Sequence, residues 1–496
     1  MKKLILILLV AGTLNTGCKK YIDGSEASIL TTGVLFNSTR DLENLLYGAY
    51  GSIANSYTLA GNWRLFPEIL ADHVVLNVSE PTEADPYVAL YNRNMAQALY
   101  TDNWEQAYIA IQNANTVLYA IENNLITKEK DPVFNDLTRD RIKGEALFIR
   151  AVVHFELVRL YGQQFGNNSS AANSGVVLRN KATLNITSPA DLTGVKRATV
   201  AEVYAAVISD LKAAESLMPA IPTRRGKATS YAAGAYLARV YFQQMDYDNA
   251  LIQINKVIGE TPGLITTSFR LVRSPLTGAL STAQVNANVL AAFSTTGTTD
   301  KTSETIFDLV SVTGYAVNGT ISRKYIRTAA IEPHLAISST FITEAAFAAN
   351  DGRKAALITT VGTKNYSKKY DRALQNVPVI RSAELLLDRA EIFALKGLTA
   401  EATADINLLR DRAIPGYNIN TVIAPAVILS EVRRERVREL AFEGDRLHNL
   451  RRLQSDIGPG NRTGVNPVPW NSNQLLFKIP AAEIAASNNT MPQNPD

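Results

Sequence analysis

Apolar side chains recur at three- and four-residue steps through much of the chain. From Asp102 to Asn124 the recurring positions are Trp104, Ala107, Tyr108, Ile111, Ala114, Asn115 and Leu118. That spacing lays them on one face of an amphipathic helix, with Trp104 at its start turned to the core. Arg139 to Tyr161 repeats the pattern through Ile142, Ala146, Ile149, Val153 and Val158, and Gly162 is a natural stop. Thr199 with Glu202 three residues on forms a capping box, which opens a further helix ending at Pro219.

The pattern then repeats itself. Ala238, Tyr241, Ala250 and Ile254 have counterparts in Ala390, Phe393, Ala402 and Ile406. Small residues at this spacing let two antiparallel helices approach closely. A turn falls between them, Gln244 to Tyr247 in one copy and Lys396 to Thr399 in the other. This is the logic of a tetratricopeptide unit. The expected fold is mainly α, a tetratricopeptide-like scaffold of three or four stacked helix pairs with a large irregular, loop-rich half. The irregular part is Thr261 to Pro378, rich in Thr, Ser, Ala and Gly, with short strands predicted at Thr305 to Val310 and Ser322 to Arg327. Gln163 to Gly175 and Gly458 to Asn473 read as loops. Binding is expected in such segments, carried on the rigid helical part.

Composition narrows the setting. The 496 residues are 46% hydrophobic and 19% charged, an ordinary globular balance, and the net charge of +4 is too small to argue for nucleic acid. The single cysteine, Cys18, excludes internal disulfides and cysteine-based zinc sites. It follows Lys2, Lys3, an apolar run from Leu4 to Val10, and Ala11 to Gly17. This is the layout of a secretory signal, with an apolar stretch far short of the ~20 residues that span a bilayer. Asn15 stands where a typical lipobox carries leucine. Cys18 reads as an acylation site that leaves the mature chain anchored rather than spanning. The chain therefore divides into a signal peptide (1–17), an N-terminal helical part (18–260), the loop-rich insertion on the ligand side (261–378) and a C-terminal helical part (379–496).

Near the C-terminus, Glu431, Glu435, Glu439 and Glu443 recur every four residues, flanked by Arg434 and Arg438. Pairs at three- and four-residue reach contribute about 0.2–0.5 kcal/mol each. Val437, Leu440, Ala441, Gly444 and Leu447 form the opposing apolar stripe. Glycosidic cleavage would need two carboxylates facing each other across a bond, roughly 5–9.5 Å apart, with pKa values pushed in opposite directions. Neighbours on one helix beside arginines meet neither condition, so these are expected to be structural ion pairs. A nucleic-acid patch fails as well, since Glu431 to Arg452 holds seven arginines against five acids. The four histidines, His73, His154, His334 and His448, make no ligand pair, and no nucleophile elbow or phosphate-cradling glycine loop is found. No catalytic residue, metal or cofactor is expected.

The sequence Arg141-Ile142-Lys143-Gly144-Glu145-Ala146, continuing through Arg150-Ala151 to Leu160-Tyr161-Gly162, resembles a helix of the SusD/RagB family of outer-membrane lipoproteins. Arg197 to Tyr204 resembles a helix start of the same family, and Arg433 to Arg446 with Leu450-Arg451-Arg452 its C-terminal segment. The ending, from Ile479-Pro480 to Gln493-Asn494-Pro495, is similar too, and Lys19 to Asp23 resembles the linker that follows the lipidated cysteine. The resemblance covers essentially the whole chain. It implies a tetratricopeptide-like scaffold, no catalysis, an outer-membrane location by lipid anchor, and a partner, a SusC-like TonB-dependent transporter barrel over which the lipoprotein acts as a lid.

The family's motifs lie in the scaffold, so no binding residue carries over. Sugar capture relies on flat aromatic faces, with amides and carboxylates reading the hydroxyls. The expected ligand residues are Trp63, Asp72, Tyr87, Tyr91 and Asn94 in the stretch Asn55 to Asn94, with Asn92 beside them. Tyr315 and Tyr325 join them from the insertion, with Tyr366 nearby. The leading expectation is a surface lipoprotein that binds an oligosaccharide or polysaccharide and delivers it to the transporter. Peptide capture under the same lid is the alternative, and a carboxylate glycoside hydrolase a remote third.

Overall fold

The computed structural model describes residues 36–78, 85–95, 100–183, 196–330 and 332–495. Cys18, the signal segment and the linker after it lie outside these residues.

The first helices are α1 (Thr39–Ile53), α2 (Asn62–Leu70), α3 (Pro86–Tyr91), α4 (Thr101–Glu122) and α5 (Asp136–Tyr161). α6 (Val200–Leu217), α7 (Ser230–Gln243) and α8 (Tyr247–Ile258) follow. The expected caps are present. Thr199 N–H donates to the Glu202 carboxylate at 2.8 Å, and Glu202 N–H to the Thr199 hydroxyl at 3.1 Å. Asn135, which the sequence pattern did not single out, caps α5 by accepting from Thr138 N–H at 3.0 Å.

The insertion holds more regular structure than its composition suggests. It contains α9 (Thr282–Ala291), α10 (Gly319–Tyr325), α11 (Ser339–Ala345) and α12 (Gly352–Leu357). The strands are β1 (Val74–Leu76), β2 (Thr305–Leu309), β3 (Leu335–Ile337), β4 (Ile358–Val361), β5 (Lys364–Ser367) and β6 (Val377–Arg381). The strand expected at Thr305 is β2, but Ser322 to Arg327 is not a strand. The side chains buried within α10 are Ile321 and Tyr325, four residues apart at 0% and 1% exposure, which is helical rather than strand spacing. An antiparallel sheet ordered β1-β3-β5-β4 pairs Val74 with Ile337, and β2 pairs with β6.

The C-terminal part comprises α13 (Ser382–Leu395), α14 (Thr399–Ala413), α15 (Ile428–Leu440), α16 (Arg446–Arg452) and α17 (Ala481–Ala486). α1 packs on α4, α4 on α5, α5 on α6, α6 on α7, α7 on α8, α8 on α13 and α13 on α14. That is a continuous stack of four pairs. Ala238, Ala250, Ala390 and Ala402 are all fully buried where the paired helices meet. Gly397 (φ +76°) occupies the turn position that Met245 (φ +61°) holds in the first copy, so both turns demand left-handed backbone. The glutamate stripe is not one helix face. α15 ends at Leu440, the chain turns through Phe442 (φ +64°) and Gly444 (φ +84°), and Glu443 projects from that turn.

Candidate functional site

The charge-rich C-terminal segment is closed on itself. Glu439 accepts from Arg412 Nη2 at 2.5 Å, Arg381 Nη1 at 3.1 Å and Arg353 Nη1 at 3.2 Å. Glu435 pairs with Arg353 at 2.6 Å, and with Arg410 and Arg438 at 2.9 Å each. Glu443 accepts from Arg381 at 2.7 Å and Lys369 at 2.8 Å, and Glu304 is gripped by Arg381 and Arg412. Burial raises the Glu435 and Glu443 carboxyls, but the surrounding cations outweigh it and hold both at about 2. Most partners come from distant elements rather than the neighbouring arginines expected from spacing. With Glu435 and Glu439 buried under guanidiniums and both held as anions, this segment presents no acid and base across a cleft.

Asp72 is likewise committed. Together with His73 and Glu344 it forms a group of three potential metal ligands whose ligand atoms lie within 4.8 Å of one another. Arg446 already spans that group, donating to Asp72 at 2.8 and 2.9 Å and to Glu344 at 2.8 and 2.7 Å. Burial and the adjacent guanidinium pull the His73 imidazole below its usual range, which outweighs its two acids. A guanidinium thus neutralises the carboxylates where a metal would have to sit.

Several expected stacking platforms are core residues. Trp63 is 2% exposed, Tyr325 1% and Tyr366 1%. Tyr91 is buried beneath the Arg462 guanidinium, which lies 4.1 Å from its ring centre. The cause is that the stretch after Asn55 is not a loop. All of α2 is buried, Arg462 covers Tyr91, and Tyr325 packs against Phe442. Tyr366 donates to Glu332 at 2.5 Å, and burial followed by that carboxylate pushes its phenol up to about 12. His154 and His448 are buried on helices.

Tyr87 and Tyr315 remain available. Tyr315 is 45% exposed, and its hydroxyl donates to Ala54 O at 2.9 Å. Tyr87 is half-buried, with its hydroxyl donating to Asn62 Oδ1 at 2.9 Å. Tyr57, 40% exposed, is a further open ring that sequence reasoning missed; it lies near enough to Tyr87 to act on its phenol, and three residues past the Ala54 carbonyl that Tyr315 bonds. Its backbone is fixed by an Asx-turn, Tyr57 N–H to Asn55 Oδ1 at 2.9 Å, and its phenol bonds Asp102, which raises its pKa. The available signal was that Asn55-Ser56-Tyr57 is a polar turn directly after α1. Beside Tyr87, Lys324 Nζ lies 3.7 Å from the ring centre and 2.7 Å from His334 Nδ1. Asn55, Gln106, Asp85 and Asp102 supply amide and carboxylate groups around these tyrosines. Asn94 and Asn92 line a separate groove of about 610 Å³ with Met95, Pro467 and Pro469.

Among the described residues no helix is long and apolar enough to cross a membrane.

Two family models match the chain. One, described as "Starch-binding associating with outer membrane", covers residues 20–242, and the other, "SusD family", covers residues 349–496. SusD-like protein P2 of Formosa agariphila is 24% identical over 543 residues, with 100% of each chain covered. A SusD superfamily protein of Bacteroides thetaiotaomicron superposes with a TM-score of 0.78 at 21% identity, covering 92% of this chain and 100% of that one. A SusD-like carbohydrate binding protein of Bacteroides vulgatus gives 0.71 at 20% identity, covering 92% and 97%. At these identities the structural likenesses establish the fold.

Proposed function

The chain belongs to the SusD/RagB family, and from that premise we propose that it is a non-catalytic, lipid-anchored outer-membrane protein that captures oligosaccharides. In this reading it hands them to a SusC-like TonB-dependent barrel, and Cys18 is the anchor. The observation that carries glycan capture is the exposed pair Tyr57 and Tyr315 beside Tyr87, framed by Asn55, Asp85, Asp102 and Gln106. A pyranose presents a patch of C–H groups on one face and hydroxyls at its rim. Phenol rings cover the patch, and amides and carboxylates accept and donate at the rim.

Hydrolysis has no support in the charged C-terminal segment, where both candidate acids are pinned by arginines. The test is a combined glycan and peptide array with the purified full chain. Retention by a subset of glycans that weakens in Y57A and Y315A supports the reading. Binding confined to peptides assigns the peptide-capture role instead. Delivery is tested separately, by co-purification with a TonB-dependent barrel from outer membranes, and anchoring by release of C18A from the membrane fraction.

A further inference from the structure

Many buried and half-buried cations in this fold are matched by a carboxylate, and others, such as Arg462 and Arg451, by backbone carbonyls. Arg239 has Glu384 at 2.6 Å, Arg150 has Asp210 at 2.7 Å and Arg446 has two acids. Lys324 differs. Its nearest polar neighbours are the π face of Tyr87 at 3.7 Å and His334 Nδ1 at 2.7 Å, and among the described residues no carboxylate forms an ion pair with it. The charged amine donates in that contact, so Nδ1 of His334 carries no proton and serves as acceptor. Asp85 faces the pair, but its Oδ1 caps α3 through Tyr87 N–H at 2.8 Å, while Oδ2 stands 3.8 Å from His334 Nδ1. Arg323, the residue just before it, is exposed and adds a like charge. Burial, with Arg323 adding to it and Asp85 opposing, draws the Lys324 ammonium down to about 8. Burial and Lys324 lower His334 as well. The tyrosine face therefore holds an under-compensated positive charge directly behind an aromatic ring.

We propose that the ligands of this face are acidic glycans, in which a uronate carboxylate or a sulfate ester pairs with Lys324 while sugar rings lie against Tyr57 and Tyr315. This rests on the glycan reading above and names its substrate class. An anion at Lys324 supplies what Asp85 does not. It stabilises the ammonium against burial and gives a charge-assisted contact that a neutral sugar cannot make. Binding then draws a proton onto Lys324 as pH rises past its unliganded range, and it weakens with salt.

The experiment is affinity electrophoresis of the full chain through gels containing polygalacturonate, alginate or carrageenan, each compared with neutral galactan, mannan and laminarin. Titration calorimetry on the retaining polymers follows. The expected result is retention by acidic members, with the uronates and the sulfated polymer separating the two anion sources. For the retaining polymer, affinity should fall roughly tenfold in K324M. It should fall less in R323Q, and decline toward about pH 9 as Lys324 loses its proton. Retention by neutral polymers alone, or equal affinity for both kinds unaffected by K324M, overturns the inference and leaves glycan capture standing. No retention by any polymer, with peptides bound on the array, overturns both. Should K324M fail to fold, the salt and pH dependence of the native chain decides.

Discussion

The two regions richest in polar chemistry treat their charges in opposite ways. Around α15 and the turn after it, Glu304, Glu435 and Glu439 are buried and Glu443 half-buried, and each is shared by two or more cations, most of them drawn from β6, α12, α14 and the β5–β6 connection. At the tyrosine face, Tyr57 and Tyr315 are open and Lys324 has a ring and an imidazole for company. The first region satisfies itself and so has nothing to offer a ligand. The second leaves aromatic surface and charge unmatched, and unmatched groups are what recognition uses. Density of ionisable residues in sequence therefore points to the framework of this protein.

The strongest way to break that contrast is to open the closed network. Arg381 contacts Glu304, Glu439 and Glu443 at once. Arg381→Met takes one cation from three carboxylates at once, leaving them Arg412, Arg353 and Lys369, and removing one partner from a buried ionic cluster costs about 3–5 kcal/mol. Urea unfolding of the variant should show a loss of that size. A loss below about 1 kcal/mol would mean the cluster adds little to the stability of the fold.

Acid probes the same cluster without mutation. The Glu435 and Glu443 carboxyls sit at about 2 in the folded chain, against about 4.3 when unfolded. A depressed folded value stabilises above the unfolded pKa and is lost as pH falls through the folded one. Stability should drop between about pH 4.5 and 2, by roughly 2–3 kcal/mol for each group. Glu68 works the other way. Burial, helped by Asp445, lifts it to about 7, so its contribution is complete at low pH and disappears as pH rises through 7. Unfolding midpoints measured from pH 3 to 8 should therefore decline at both ends, and a curve flat at the acid end would contradict the ion-pair assignment.

The scaffold was legible because its signals are local. Ala238 and Ala390, the Thr199–Glu202 box and the two inter-helix turns specify helix pairs within short windows. What depends on contacts across hundreds of residues was not. Nothing near Val74 announces pairing with Ile337, and nothing near Trp63 shows that α2 will be buried on every side. The ion pairs were read correctly as structural, yet their partners Arg353, Arg381 and Arg412 lie outside the motif, where spacing rules cannot reach. For the tyrosine face the sequence supplied Tyr87 and Tyr315, while Trp63, Tyr91 and Tyr325 proved internal because covering segments hide them.

A smaller effect sharpens where the closed region begins. Gly444 has φ +84°, and a Cβ there would stand 2.9 Å from Arg64 Cα. Neither can be relieved by a side-chain rotation. Gly444→Ala should cost about 2–3 kcal/mol from backbone strain and overpacking together. Thermal unfolding measures it, and a shift within error would show that the turn between α15 and α16 has slack.

The smallest stability effect belongs to the open region, and it is the most discriminating. Tyr57→Ala removes a ring that is 40% exposed together with its bond to Asp102, and surface truncations of this kind stay within about 0.5 kcal/mol. Tyr315→Ala also gives up an exposed hydrogen bond to Ala54 and should remain in the same range. If these rings form the capture surface, each loss removes about 1 kcal/mol of stacking, roughly a fivefold weakening of the retained glycan. Calorimetric binding alongside urea unfolding separates the two readouts. Lost affinity at unchanged stability is the signature of a group left free for a ligand. Lost stability at unchanged affinity would place Tyr57 and Tyr315 with Trp63 and Tyr325, as packing residues, and would point to the groove lined by Asn92 and Asn94 as the ligand site.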